Sequence, residues 1–148
     1  PQISLGLPVL IPDTYVADLQ VRLKLYRQIS ELQDISEIEP LRAELLDRFG
    51  PYPVEVENLL DTIALKILAK RANIERLEAG SKGATISFYK NTVPNPAGLI
   101  EYITSQLGTI KIRPDQKVVV MRPWDKTSDR LNGVKKIIEK FAEIAAKG

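Results

Sequence analysis

Apolar positions along this chain keep two periods, and the change from one to the other divides it near residue 73. Before that point they mostly recur at helical spacing. After it they alternate in short runs. The first segment is the exception. Ile3, Leu5, Leu7, Val9 and Ile11 alternate strictly, which predicts a strand or an extended arm. Pro8 confines it to an edge or an unpaired position. Residues Ile11 to Tyr15 predict a turn, with Asp13 or Asp18 capping the helix that follows. That helix runs from about Asp18 to Leu32. Leu19, Leu23 and Tyr26 form one stripe, with Leu25, Ile29 and Leu32 beside it. So wide an apolar arc predicts more than one neighbour.

Ser36 and Glu39 fit a capping box that opens a second helix, with Pro40 tolerated in its first turn. Ile38, Leu41, Leu45 and Phe49 make its burying face. Gly50 ends it from the C′ position, and Pro51 and Pro53 stop it resuming. A third helix starts near Pro53, with Glu55 and Glu57 suited to its N-terminal dipole. Val56, Leu59, Leu60, Ile63, Ile67 and Leu68 carry its core face, and Asn73 is its left-handed stop. Three helices with short loops predict a compact helical part over 18–73.

From Ile74 the pattern predicts ββαββα. Ile74–Ala79 and Ala84–Tyr89 flank Gly80-Ser81-Lys82-Gly83, a hairpin signature, with Ile86 and Phe88 facing the core. Asn95-Pro96 opens a helix over about 96–107, with Leu99, Ile100 and Ile103 inward. Thr109–Arg113 and Lys117–Met121 form a second hairpin, with Ile110 and Ile112 inward. A last helix follows Trp124, capped by Asp125 or Thr127. Leu131, Val134, Ile138, Phe141 and Ala145 form its seam, and Asn132-Gly133 weakens its first turns. The predicted class is α+β: a three-helix part packed on an antiparallel-sheet part, in one domain over 1–148 with 1–17 as an extended arm.

Composition removes several function classes. The 148 residues contain no Cys, so disulfides and thiolate zinc sites are excluded. They contain no His, so Ser-His-Asp and Cys-His mechanisms are excluded as well. No P-loop or dinucleotide-binding turn occurs, and no carboxylates stand out as a catalytic pair. No catalytic, cofactor-binding or metal-binding residues are therefore expected. The start lacks a basic signal region and an initiator Met, which suggests a piece of a longer protein. The absence of Cys fits a reducing compartment, and the expected localisation is cytoplasmic. No apolar run is long enough to span a membrane.

Charge is uneven. Residues 1–73 hold 8 basic and 11 acidic side chains, while 74–148 hold 13 and 8. The first part is a poor candidate for nucleic-acid contact and the second a weak one. In the second part, Lys82, Lys90, Lys111, Arg113 and Lys117 are the candidate basic surface, with few exposed aromatics to accompany them. Lys135, Lys136 and Lys140 coat the solvent face of the last helix, and Trp124 reads as core or hinge.

Glu44, Asp47 and Arg48 sit at i, i+3 and i+4 on the second helix and cluster on one face. A docking surface would use Arg48 as a directional donor and the carboxylates for sign complementarity. An ordinary solvated face with a Glu44–Arg48 pair is the other reading.

Three motifs in order carry a resemblance. They are Leu10-Ile11-Pro12-Asp13-Thr14-Tyr15-Val16, Arg22-Leu23-Lys24-Leu25-Tyr26-Arg27-Gln28-Ile29 and Glu44-Leu45-Leu46-Asp47-Arg48-Phe49-Gly50. They resemble the "LIPDxYV", "RLxLYxxI" and "ELxDRFG" segments of the C-terminal domain of bacterial transcription-repair coupling factor, an ATP-driven DNA translocase. The similarity is strongest over 3–72. Lys90 to Ile100 departs from the family's "KNxVNPxxLI" by one extra residue.

The resemblance implies a domain without motor or catalytic residues. It implies docking on the N-terminal UvrB-like module of the same protein, which masks the UvrA-binding surface and restrains the translocase until RNA polymerase is engaged on DNA. It also implies that Glu44, Asp47 and Arg48 make that contact. An auxiliary nucleic-acid-binding module using the basic second half remains the alternative.

Overall fold

The computed structural model describes all of residues 1–148 and is α+β. The chain forms two compact units. A helical unit covers Leu7–Ile67. A sheet unit covers Pro1–Gly6 together with Leu68–Gly148.

In the helical unit, α1 (Leu19–Ser30), α2 (Ile38–Phe49) and most of α3 (Val54–Arg71) follow in order. Asp18, not Asp13, caps α1 by accepting from the Val21 N–H at 3.0 Å. The capping box before α2 is Asp34 with Glu37, two residues earlier than the Ser36–Glu39 pair. It opens a 3-10 turn, Ile35–Glu37, that leads into the helix. Asp34 wins because its carboxylate meets the Ser36 N–H while Glu37 reaches back to the Asp34 N–H, at 2.9 and 3.0 Å. Gly50 adopts φ 85° and its N–H closes on Leu46 O. Asn73 adopts φ 58° beyond α3, as a left-handed stop requires.

The core of this unit joins Ile11, Val16, Leu25, Ile29, Leu41, Leu45, Val56 and Leu60. The alternating arm is not a strand beyond Ser4. Its backbone is satisfied by side chains instead. Asn58 Nδ2 donates to Pro8 O at 3.1 Å, and the Ile11 N–H donates to the Tyr26 hydroxyl at 2.6 Å. Leu25 and Ile29 are buried, whereas of the other α1 stripe Tyr26 packs on the core and Leu19 and Leu23 are exposed.

The sheet unit holds β1 (Gln2–Ser4), β2 (Ile74–Gly80), β3 (Gly83–Phe88), β4 (Ile110–Ile112) and β5 (Val118–Met121), with α4 (Pro96–Ser105) and α5 (Thr127–Ala146). The strand order is β1-β2-β3-β5-β4. The two expected hairpins are antiparallel. The sheet is nevertheless mixed, because β1 adds to β2 in parallel. A bulge between Ile74 and Arg76 resets the alternation, so Ile74 and Leu77 both face inward. Ala84, Ile86, Phe88, Ile110, Val118 and Val120 complete the buried face. Phe141 of α5 stacks on Phe88 and meets Tyr102 of α4 edge-on, each at 6.1 Å between centroids.

Ile100 and Ile112 were expected inside and are exposed. Ile112 ends the edge strand β4, where the sheet has no further neighbour to cover it. Ile100 lies one position past the buried Leu99 on α4, on the outward side of that helix. Leu99 itself is held by Asn95, which caps α4 through the Gly98 N–H. At the start of α5, Lys126 is the N-cap and no side chain caps the helix, so neither Asp125 nor Thr127 does so.

Trp124 is buried, and Gly133 makes room for it. A Cβ at Gly133 would lie 2.5 Å from three atoms of the indole. The helix-weakening glycine is thus a packing requirement. Gly133→Ala should lower stability by about 1–3 kcal/mol through overpacking, although alanine is the better helix former by about 1 kcal/mol. A thermal melt would show the loss as a drop of several degrees, with a changed near-UV signal from Trp124. A raised melting temperature would contradict the close approach.

Candidate docking face

The exposed side of α2 is positioned by what lies beneath it. Ile38, Leu41 and Leu45 are buried and Phe49 is half-buried, as their spacing requires. The helix end is then pinned twice. The Tyr15 hydroxyl shares its one proton between Gly50 O at 2.8 Å and Leu45 O at 3.1 Å, and its ring lies 5.7 Å from that of Phe49. Burial, aided by Tyr52, pushes the Tyr15 phenol above its usual range, so these donations persist through ordinary pH.

Arg42 ties α2 to α3. Its Nη2 lies 2.7 Å from Asp61 Oδ1, and its Nε lies 3.2 Å from Glu39. Burial opposes the guanidinium charge, but hydrogen bonds to Tyr52 and Asp61 outweigh it and raise its pKa further. Helical spacing alone assigns Arg42 no role. Its signal, an arginine flanked by buried Leu41 and half-buried surroundings, appears only with α3 in place.

On this rigid support the three charges share one exposed face, as their spacing predicts. Arg48 lies 3.9 Å from Glu44, with side chains 45% and 43% exposed. A pair so long and open contributes only a few tenths of a kcal/mol. The Arg48 guanidinium also sits 4.8 Å over the Phe49 ring. Phe49 thereby restrains Arg48 while leaving its edge free to donate. Asp47 is exposed and pairs with no residue of this chain. Glu44 also borders a shallow groove of about 510 Å³ with Leu32, Pro40 and Leu41 among its walls.

Leu46 is 51% exposed between Glu44 and Asp47. It was missed as a surface residue. The signal was its place in the stripe: Leu45 continues Ile38 and Leu41 at helical spacing, and Leu46 lies a step off that line beside the charges. No group of three or more carboxylates converges to hold a metal ion. No helix is long and apolar enough to cross a membrane.

The family model described as the TRCF domain matches residues 5–99. The chain belongs to the TRCF domain family. The transcription-repair-coupling factor of Rickettsia conorii is 43% identical over 122 residues, covering 82% of this chain and 11% of that protein. The factor of Escherichia coli K12 is 28% identical over 144 residues, covering 97% of this chain and 12% of its own length. This chain therefore spans about a tenth of these relatives. In fold it matches the crystal structure of a C-terminal domain of transcription-repair coupling factor, with a TM-score of 0.80 at 23% identity. That match covers 99% of this chain and 94% of the other. The TRCF resemblance seen in the three motifs is thus borne out, and the third motif ends α2.

Proposed function

We propose that this TRCF domain is a non-catalytic regulatory module whose α2 face docks on the N-terminal UvrB-like module of its own parent protein. Docked there, it masks the UvrA-binding surface and restrains the DNA translocase until RNA polymerase is engaged. The parent is taken to be cytoplasmic, and the contacts with UvrA, polymerase and DNA run through it. The observation that carries the reading is the state of the three charges. Asp47 is unpartnered, Arg48 is half-open and held by Phe49, and Glu44 is spent only on a long, weak pair.

A releasable clamp suits this chemistry. Charge pairs give register and sign preference, and a modest polar interface opens when another ligand favours the open state. Release is then a population shift, set by the differential affinity of polymerase and DNA for the two states.

The test is calorimetric titration of this domain into the isolated UvrB-like module of its parent. Glu44→Ala, Asp47→Ala and Arg48→Ala together should weaken binding at least tenfold. Their effect on the melting temperature should be slight, because exposed substitutions usually change stability by no more than about 0.5 kcal/mol. Unchanged binding by the triple variant would refute the reading. If the separated parts bind too weakly to titrate, the same comparison is made with the two parts joined by a flexible linker, which restores the effective concentration.

A further inference from the structure

The sheet unit contains a cleft that the docking reading does not use. It measures about 750 Å³, and Lys70, Asn73, Arg76, Ser87, Tyr89 and Lys117 are among its walls. Its cations do not match the basic surface expected from sequence. Lys82 lies in the turn between β2 and β3, at the opposite end of β3 from Lys90 and about 17 Å away along the strand. Arg113 pairs with Asp115 at 2.7 Å and is not on the lining. Lys70 and Arg76, which lie outside that set, come together with Lys117 instead.

The walls of the cleft are held in place. Across the open face of the sheet, Gln2 pairs with Arg76 and Arg76 with Ser87. The pairing of Ile86 with Val118 makes Lys117 next in that row. Gln2 Oε1 accepts from Arg76 Nε at 3.1 Å and Nη2 at 2.6 Å, which fixes the guanidinium plane. Its Nη1 lies 3.3 Å from Glu78. Lys70 lies in the last turn of α3. Lys70 and Lys117 form no ion pair, and Glu75 is the one carboxylate on the lining.

At the rim, left-handed Asn73 fastens the turn that carries Tyr89. Its Nδ2 donates to Tyr89 O at 3.1 Å and to Thr92 O at 2.8 Å, and its carbonyl accepts from the Tyr89 N–H. The Tyr89 ring is 52% exposed, and Lys90 Nζ lies 5.4 Å from its centroid.

We propose that this cleft binds single-stranded nucleic acid. Lys70, Arg76 and Lys117 contact phosphates and Tyr89 stacks a base. A groove with excess positive charge and an exposed, backbone-anchored aromatic is the arrangement that holds an unpaired strand. A duplex would offer its phosphates but hide its base faces from Tyr89. An acidic peptide would use the cations and leave the ring without a partner. None of these residues lies on α2, so the proposal stands apart from the docking reading.

The experiment is fluorescence anisotropy of the whole 148-residue chain with labelled oligo(dT) and oligo(U), across a salt series. Tyr89→Ala should weaken binding about 5- to 150-fold, the range that stacking one base supplies, and Tyr89→Phe should restore it. Lys117→Ala should lower the magnitude of the log–log salt slope by about 0.7. Lys135→Ala with Lys136→Ala on α5 should change neither beyond a small general charge effect. Thermal melts show whether each variant is folded. The proposal is overturned if neither oligonucleotide binds at low salt, or if the α5 changes weaken binding as much as the cleft changes. It is also overturned if a labelled glutamate-rich peptide binds the cleft and the oligonucleotides do not. The preference between the two oligonucleotides identifies the strand as DNA or RNA.

Discussion

Gly83→Ala is expected to destabilise the sheet unit by more than about 3 kcal/mol, and in a marginal background to unfold it. Two physical demands meet at this residue. Its φ is +135°, a conformation that a side chain rarely adopts. A Cβ would also sit 1.8 Å from Val120 O and 2.8 Å from the Val120 carbonyl carbon. Those atoms are backbone in the neighbouring strand, so no rotamer change relieves the clash. The sheet would have to open between β3 and β5, where Gly83 pairs with Met121. Gly80, at the other end of the same turn, is the control. Nothing lies within 4 Å of its Cβ position and its φ is not positive, so Gly80→Ala should be neutral or mildly stabilising. Urea denaturation of both variants decides the matter. A Gly83→Ala protein with the midpoint of the Gly80→Ala protein would mean that the strands are not this close.

Arg130→Ala should cost about 2–4 kcal/mol, since hydrogen bonds to a buried charge are strong and their acceptors would be left unsatisfied. Arg130 is only 9% exposed. Its Nη1 donates to Leu5 O at 2.9 Å, while Nε and Nη2 reach Trp124 O at 3.3 and 3.1 Å. The fork thus joins the segment after β1 to the segment before α5. Gly6 lets the chain pass this closely, since a Cβ there would come within 3.1 Å of Arg130 Nη1. Arg130→Lys should recover part of the loss, because one ammonium cannot reproduce a planar fork. Hydrogen exchange gives a second readout. The amides of β1 should lose protection in Arg130→Ala before those of β3 do. An alanine variant as stable as the parent would show that solvent satisfies both carbonyls.

Much of this fold could be read from residue patterns, and the failures have physical reasons. The helices declared themselves through period, stop residues and caps. Gly50 and Asn73 ended α2 and α3 where left-handed residues were needed. The capping box slipped because Asp34…Glu37 and Ser36…Glu39 overlap in sequence, and only backbone geometry chooses between them. β1 was recognised as extended but not as part of the sheet, since its partner β2 lies some seventy residues away and leaves no local trace. Arg130 was invisible as a core residue because arginine belongs on the surface unless backbone acceptors converge on it, and Leu5 and Trp124 converge only in three dimensions. Leu19, Leu23, Ile100 and Ile112 show the converse limit: apolar identity permits burial but does not supply a neighbour. On α2, spacing sufficed to put Glu44, Asp47 and Arg48 on one exposed face because all three lie on one helix. The cleft cations come from three separate segments, so spacing could not assemble them.

The order of segments in the chain has a consequence for synthesis. The helical unit is one continuous stretch inserted between β1 and β2, which are hydrogen-bonded neighbours. As the polypeptide leaves the ribosome, that stretch can collapse on local contacts alone. β1 must meanwhile wait, unpaired, until β2 emerges on the far side of the insertion. Its ladder is short and carries the entropy of closing the whole intervening loop. β1 should therefore be the last strand to join the sheet and the first to leave it.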